Sequence, residues 1–226
     1  MPYTTLLFDL DHTLFDSDAS EAEAFDITMR AAGISDPASV FDAYRRINGA
    51  LWEGVEAGRV QPIEVRTLRF QRLFDQIGID ADIDAMADLF VRSLGDHGDL
   101  YPGARQVLDH LAGRARLALV TNGLSDVQRA RLARCELDDL FEAVVISSEV
   151  GVTKPRPEIF QTAFDRLGGP PKHSAVMVGD SLTSDIAGAI RFGIDTCWYN
   201  PNRADRNGFE VTHEVTDLAE LTYLVA

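Results

Sequence analysis

Cysteine is scarce. The chain has two, Cys135 and Cys197, among 226 residues. They share no C-x-x-C spacing and have no histidine pair nearby, which excludes a disulfide framework and a zinc site of the usual ligand spacing. Cys197 lies in the apolar run DTCWY and is expected to be a core thiol, and Cys135 closes a helical pattern and is expected to be structural too. Basic residues are also in short supply, 21 Lys and Arg against 36 Asp and Glu, for a formal net charge of -15. A surface of that sign repels polynucleotides and anionic lipid, so neither is an expected partner. No apolar stretch reaches the roughly 18 residues that suggest a membrane span. No basic stretch leads into an apolar run at the N-terminus, so no secretory signal is expected. The resulting expectation is a soluble, cytoplasmic protein. Internal repeats and low-complexity segments are lacking as well.

What is there is ordinary globular material, 46% hydrophobic, enough for one large domain or one domain plus a smaller one. The order of the apolar runs is more informative. TTLLFDL, RLALVTNG, EAVVISSEVG, HSAVMVGDS and DTCWYNP are nearly continuous in Val, Ile, Leu or Ala rather than alternating. Strands buried on both faces of a parallel sheet read this way. Amphipathic helices are expected between them at Ala104–Ala112, Asp126–Cys135, Pro157–Leu167 and Ser184–Phe192. This alternation predicts an α/β fold with a doubly wound sheet.

From about Ser20 to Gly98 the rhythm changes. EAEAFDITMRAAG, VFDAYRRINGALWEGVEAG, PIEVRTLRFQRLFDQIG and IDAMADLFVRSL carry apolar residues at helical spacing, with Gly33, Gly58, Gly78 and Gly95 as expected helix stops. A helical block between the first two strands of a parallel sheet is read as an inserted all-α cap. The division expected is residues 19–98 for the cap, with 1–18 and 99–226 forming the α/β core. The stretch NPNRADRNGFE is read as a surface connection.

The strand ends carry the chemistry. LLFDLDHTLFD puts Asp9 and Asp11 two residues apart at the end of an oily strand. Side chains alternate along a strand, so both project to the same side. Ligands of open α/β sheets bind at the carboxyl ends of the strands, and two close carboxylates call for a cation or a proton between them. Taken alone, Asp-x-Asp serves equally as a solvated strand end. It is not alone. The second strand ends in Thr121-Asn122-Gly123, a hydroxyl, an amide and a glycine before a helix start, which suits an anion. Lys154 follows the third strand in a proline-stiffened turn, and the fourth ends in Gly179-Asp180-Ser181 with Ser184 and Asp185 beyond. Carboxylates, one ammonium and hydroxyl or amide donors therefore gather at one sheet edge. Hard oxygen ligands of this kind suit Mg²⁺ with a substrate phosphate.

The ordered set Asp9-x-Asp11-x-Thr13, Thr121-Asn122, Lys154 and Gly179-Asp180-Ser181-x-x-Ser184-Asp185 resembles the haloacid dehalogenase superfamily of phosphohydrolases. The motifs span almost the whole chain in the family order, with the helical insertion after the first. The resemblance implies a Rossmann-like parallel sheet, Mg²⁺ dependence and an aspartyl-phosphate intermediate. By the same resemblance, Asp9 is the nucleophile and a metal ligand. Asp11 is the general acid and base, with its carbonyl on the metal. Thr121 and Asn122 bind phosphate, as does Lys154, which also offsets charge on Asp9. Asp180 is the third metal ligand, and Thr13, Ser181, Ser184 and Asp185 support the site. An acid at Asp11 points to a phosphatase or phosphomutase rather than a dehalogenase.

FDLDHTLFDSDASE, RINGALWEGVEAG with TLRFQRLF, and GDSLTSDIAGAIRFGIDTCWYNP resemble the pyrimidine 5′-nucleotidase branch. The implied partner is a nucleoside monophosphate, including non-standard pyrimidine ones, for a monomer or homodimer. A base requires an apolar wall and a few polar groups, for which Phe15, Asn48, Trp52 and Arg66 are candidates. Trp52 and Phe15 also suit helix packing, and Arg66 and Arg69 also suit a solvated surface. The alternatives are a phosphatase for small phosphorylated acids or sugars such as phosphoglycolate, and a non-catalytic phospho-accepting signalling protein.

Overall fold

The computed structural model describes residues 2–225. Its sheet has six strands: β1 Thr5–Phe8, β2 Arg116–Thr121, β3 Ala143–Ile146, β4 Ala175–Gly179, β5 Asp195–Tyr199 and β6 His213–Val215. They run in the order β3-β2-β1-β4-β5-β6, and every neighbouring pair is parallel. The first five are the five apolar runs of the sequence. β1 is buried along its whole length, as is β4, which is why neither alternates. β6 was not expected. His-Glu-Val carries no apolar run, and this edge strand buries Val215 alone.

By internal contact the chain divides into two compact units, one comprising 1–16, 99–122 and 135–226, the other 17–98 and 123–134. The first holds the sheet. Its core joins Leu7, Val120, Val145 and Met177 of the strands to Ile159, Phe160 and Phe164 of a helix and to Ala189 and Phe192 of another.

The second unit is helical: α1 Ser17–Ala31, α2 Ala38–Glu56, α3 Pro62–Ile77 and α4 Ile83–Asp96. Phe25, Tyr44, Phe70 and Phe90 form its aromatic centre, with centroids 4.6 Å apart for Phe25 and Tyr44 and 5.1 Å for Phe70 and Phe90. Such pairs contribute about 0.5–1.5 kcal/mol beyond their buried area. Arg69 is buried here rather than solvated. It donates to the Val65 carbonyl and the Tyr44 hydroxyl, and its guanidinium lies 5.1 Å from the Phe90 ring centroid.

Two expectations are corrected. Gly95 does not stop α4, which runs through to Asp96. A Cβ on Gly95 would lie 2.8 Å from the Ala130 Cβ, so the glycine serves close helix approach. The partner helix is the sixth, after α5 Ala104–Ala112: α6 Ser125–Arg134. Residues 123–134 accordingly group with the helical unit, where Leu124 and Val127 join its core, and not with the α/β core expected over 99–226. The remaining α-helices among the described residues are α7 Ser147–Val150, α8 Pro157–Arg166 and α9 Ala187–Phe192.

Candidate active site

Parallel strands deliver their carboxyl ends to one edge, and here the adjacency is close. β1 lies between β2 and β4, with Phe8 in register with Leu119 on one side and Val178 on the other. Asp9 follows β1 directly. Thr121 closes β2, Gly179 closes β4, and Lys154 follows α7 beyond β3. After Asp9 the chain turns tightly: the Leu10 carbonyl accepts from the N–H groups of Thr13, Leu14 and Phe15. His12 takes up φ 60° within that turn.

Lys154 is the centre of charge. Its ammonium donates to Asp9 Oδ1 at 2.6 Å and to Asp185 Oδ1 at 2.6 Å. All three are buried. Asp185 Oδ2 accepts from the Ser181 N–H at 3.0 Å, so both oxygens of that carboxylate are engaged. Asp180 is held by Thr13, whose hydroxyl accepts from the Asp180 N–H at 3.1 Å and donates to Asp180 Oδ1 at 3.3 Å. Thr13 is itself fully buried. Ser181 caps a π turn over Leu182–Ile186, its hydroxyl accepting from the Ser184 N–H. The Ser181 carbonyl accepts from both Asp185 and Ile186, where the sequence predicts a plain helix starting at Ser184. The wider turn sets Asp185 against Gly179, where a Cβ would lie 2.3 Å from Asp185 Oδ2.

Burial pushes the Asp9 carboxyl well above the usual carboxylate range. The Lys154 ammonium pulls it back, while Asp185 and Asp11 push it up. Burial likewise raises Asp180, with Asp9 adding to it, and raises Asp185 against the pull of Lys154. For Lys154, burial favours the neutral amine, but Asp185 and Asp9 outweigh it and hold the group charged. One ammonium thus faces a surplus of negative charge. Asp9, Asp180 and Asp185 each offer an oxygen within 4.8 Å of the others. An all-oxygen donor set with uncompensated charge fits a hard dication.

Other expected residues fall in different places. Asp11 is half-buried, on the turn that bridges to Phe15, and Thr121 is fully buried at the end of β2. The Asn122 amide is engaged with the Lys154 backbone. Its Nδ2 donates to the Lys154 carbonyl at 3.0 Å and its Oδ1 accepts from the Lys154 N–H at 2.9 Å. The side chain clamps the lysine's backbone across 32 residues of sequence, a role that no local pattern announced. Phe15 is fully buried, and a ring without exposed surface cannot wall a ligand, which corrects the expectation of a pocket contact. Asn48, Trp52 and Arg66 belong to the helical unit. Arg66 pairs there with Asp88 at 2.7 Å and Asp126 at 2.8 Å. Trp52 is half-buried against Leu51, Val55 and Val65. Asn48 donates to Glu21 at 2.7 Å, and its buried Oδ1 accepts no hydrogen bond. Cys197 is buried as expected, and neither cysteine is in a disulfide. Among the described residues, no helix is long and apolar enough to cross a membrane.

Known proteins resemble this chain in sequence and fold. A family described as haloacid dehalogenase-like hydrolases matches residues 3–193. The pyrimidine 5′-nucleotidase PynA of Streptococcus pneumoniae is 36% identical over 223 residues, covering 98% of this chain and 94% of that protein. The pyrimidine 5′-nucleotidase YjjG of Escherichia coli is 31% identical over 226 residues, covering 100% and 99%. Phosphatases of sugar phosphates are also among the relatives. The crystal structure of the putative HAD-hydrolase YfnB from Bacillus subtilis, bound to magnesium, superposes with a TM-score of 0.92 at 33% identity, covering 99% of each chain. Likeness of this extent, in sequence and fold alike, places the chain among the haloacid dehalogenase-like hydrolases as a phosphatase, a hydrolase of phosphoric monoesters.

Proposed function

We propose that this phosphatase is a magnesium-dependent 5′-nucleotidase that hydrolyses nucleoside monophosphates, pyrimidine ones foremost, through an aspartyl-phosphate on Asp9. The observation that carries the substrate is the likeness to two pyrimidine 5′-nucleotidases along essentially the whole chain. The mechanism is supported by the buried Asp9–Lys154–Asp185 chain. An oxygen of Asp9 attacks phosphorus as the ester P–O bond breaks, and Asp11 gives its proton to the departing alkoxide. Asp11, now ionised, takes a proton from the water that attacks the same phosphorus, and the Asp9–phosphorus bond breaks to release phosphate. Lys154 offsets the charge of Asp9 and of the entering phosphate, and Asn122 keeps its backbone in place. Thr121 and the backbone after it hold phosphate oxygens. Asp9, Asp180 and the Asp11 carbonyl are the proposed holders of Mg²⁺, with Asp185 as their support, since both its oxygens are already engaged. The bound ion supplies positive charge to the phosphoryl group. The helical unit is the proposed cap, with Asn48 and Trp52 as contributors to base selection.

The test is phosphate release from a panel of UMP, dUMP, dTMP, CMP, AMP, phosphoglycolate and sugar phosphates. The expected result is a kcat/KM for pyrimidine monophosphates at least about tenfold above the rest, a difference of about 1.4 kcal/mol. Equal rates on sugar phosphates overturn the nucleotide assignment.

A further inference from the structure

We propose that Trp198, a β5 residue outside the strand-end motifs, is a positioning residue that aims the Asp180 carboxylate at the metal. This rests on the magnesium reading above. Trp198 is 3% exposed, and its indole N–H donates to the backbone carbonyl of Asp180 at 2.7 Å. An indole has one donor and no acceptor, so its whole polar capacity is spent on this one peptide.

The position of that peptide gives the bond its consequence. Asp180 is the first residue past β4, whose last residue, Gly179, lies in register with Trp198. The Asp180 N–H belongs to the peptide plane before its Cα and the carbonyl to the plane after it. Thr13 holds the first from the β1 side at 3.1 Å, and Trp198 holds the second from the β5 side. With both rigid planes fixed, φ and ψ of Asp180 are fixed, and so is the direction of its Cα–Cβ bond. Gly179 contributes no side chain to this, because the space beside it is filled by Asp185. Thr13 also takes Oδ1, which leaves Oδ2 as the oxygen to be aimed. A partner that orients a ligand in this way is worth about 10–100-fold in metal affinity.

The test is calorimetric titration of Mg²⁺ into the metal-free full chain, wild type against Trp198→Phe, which keeps most of the ring and removes the donor. The expected result is a Mg²⁺ dissociation constant raised about tenfold. An unchanged constant in a folded Trp198→Phe protein overturns the proposal, whatever its melting temperature does, because loss of packing alone moves the melting temperature and not the constant. A second measurement serves if that variant fails to fold. In Trp52→Phe, Trp198 is the sole indole of a chain with two tryptophans. Its indole N–H resonance is expected to shift saturably with Mg²⁺. A resonance that stays put while calorimetry shows the ion bound overturns the role. A wild type that binds no Mg²⁺ overturns the magnesium reading and this inference with it, an outcome distinct from normal binding by Trp198→Phe.

Discussion

Lys154→Met keeps the aliphatic stem and removes the ammonium. In the wild type, that ammonium makes two ion pairs of 2.6 Å, with side-chain exposures of 1% for Lys154, 10% for Asp9 and 0% for Asp185. Breaking a buried pair by removing one partner costs about 3–5 kcal/mol, because the remaining charge is stranded. Here two carboxylates are stranded, but they can take up protons. Lys154 is held above the ordinary lysine value, so its contribution is complete below about pH 10.4 and is lost only above that. It does not titrate near neutrality. Asp9 and Asp185 are raised already, and losing the ammonium raises them further. A raised acid binds a proton in the folded state at pH values where the unfolded chain has released it, so stability falls as pH rises from about 4 through the folded value. The deficit of Lys154→Met relative to wild type is therefore small near about pH 5 and grows to about 3–5 kcal/mol near about pH 8. Urea unfolding in chelator across that range measures it. A deficit that is flat with pH, or below about 1 kcal/mol at the alkaline end, refutes the reasoning.

Other perturbations test neighbouring parts of the site. Asp9→Asn is expected to lower phosphate release about 10³-fold or more with an unchanged circular dichroism spectrum, and retained turnover removes Asp9 as nucleophile. Gly179→Ala is expected to cost about 1–3 kcal/mol, because its Cβ would meet Asp185 Oδ2 at 2.3 Å; a melting temperature equal to wild type contradicts that close approach. Since Asp9, Asp180 and Asp185 are raised and a dication favours their ionised forms, Mg²⁺ binding is expected to release protons and to tighten as pH rises. Calorimetry in two buffers of different ionisation enthalpy reads this directly, and identical heats in both would count against it.

The legible features are those with local causes. Five strands were visible because burial on both faces leaves continuous apolar runs, and four helices of the insertion because their apolar residues keep helical spacing. β6 escaped because an edge strand of His213, Glu214 and Val215 buries too little to leave a pattern. Gly95 is ambiguous in sequence because a glycine that ends a helix and a glycine that admits a neighbouring helix look alike until the neighbour is known. The π turn at Leu182–Ile186 has no propensity signature, and its reason is the seat of Asp185 against Gly179.

By itself, the sequence determined the kind of sheet and the functional groups that arrive at its edge, because alternation, apolar continuity and strand-end position are properties of neighbouring residues. The tertiary structure alone decided how those groups are spent. It made the Asn122 amide a clamp on the backbone of Lys154. It buried Lys154 between Asp9 and Asp185, partners 145 and 31 residues away in sequence. It also closed Phe15 into the core. Hydrogen bonds over such separations depend on which strands and turns pack together, and no local pattern encodes that.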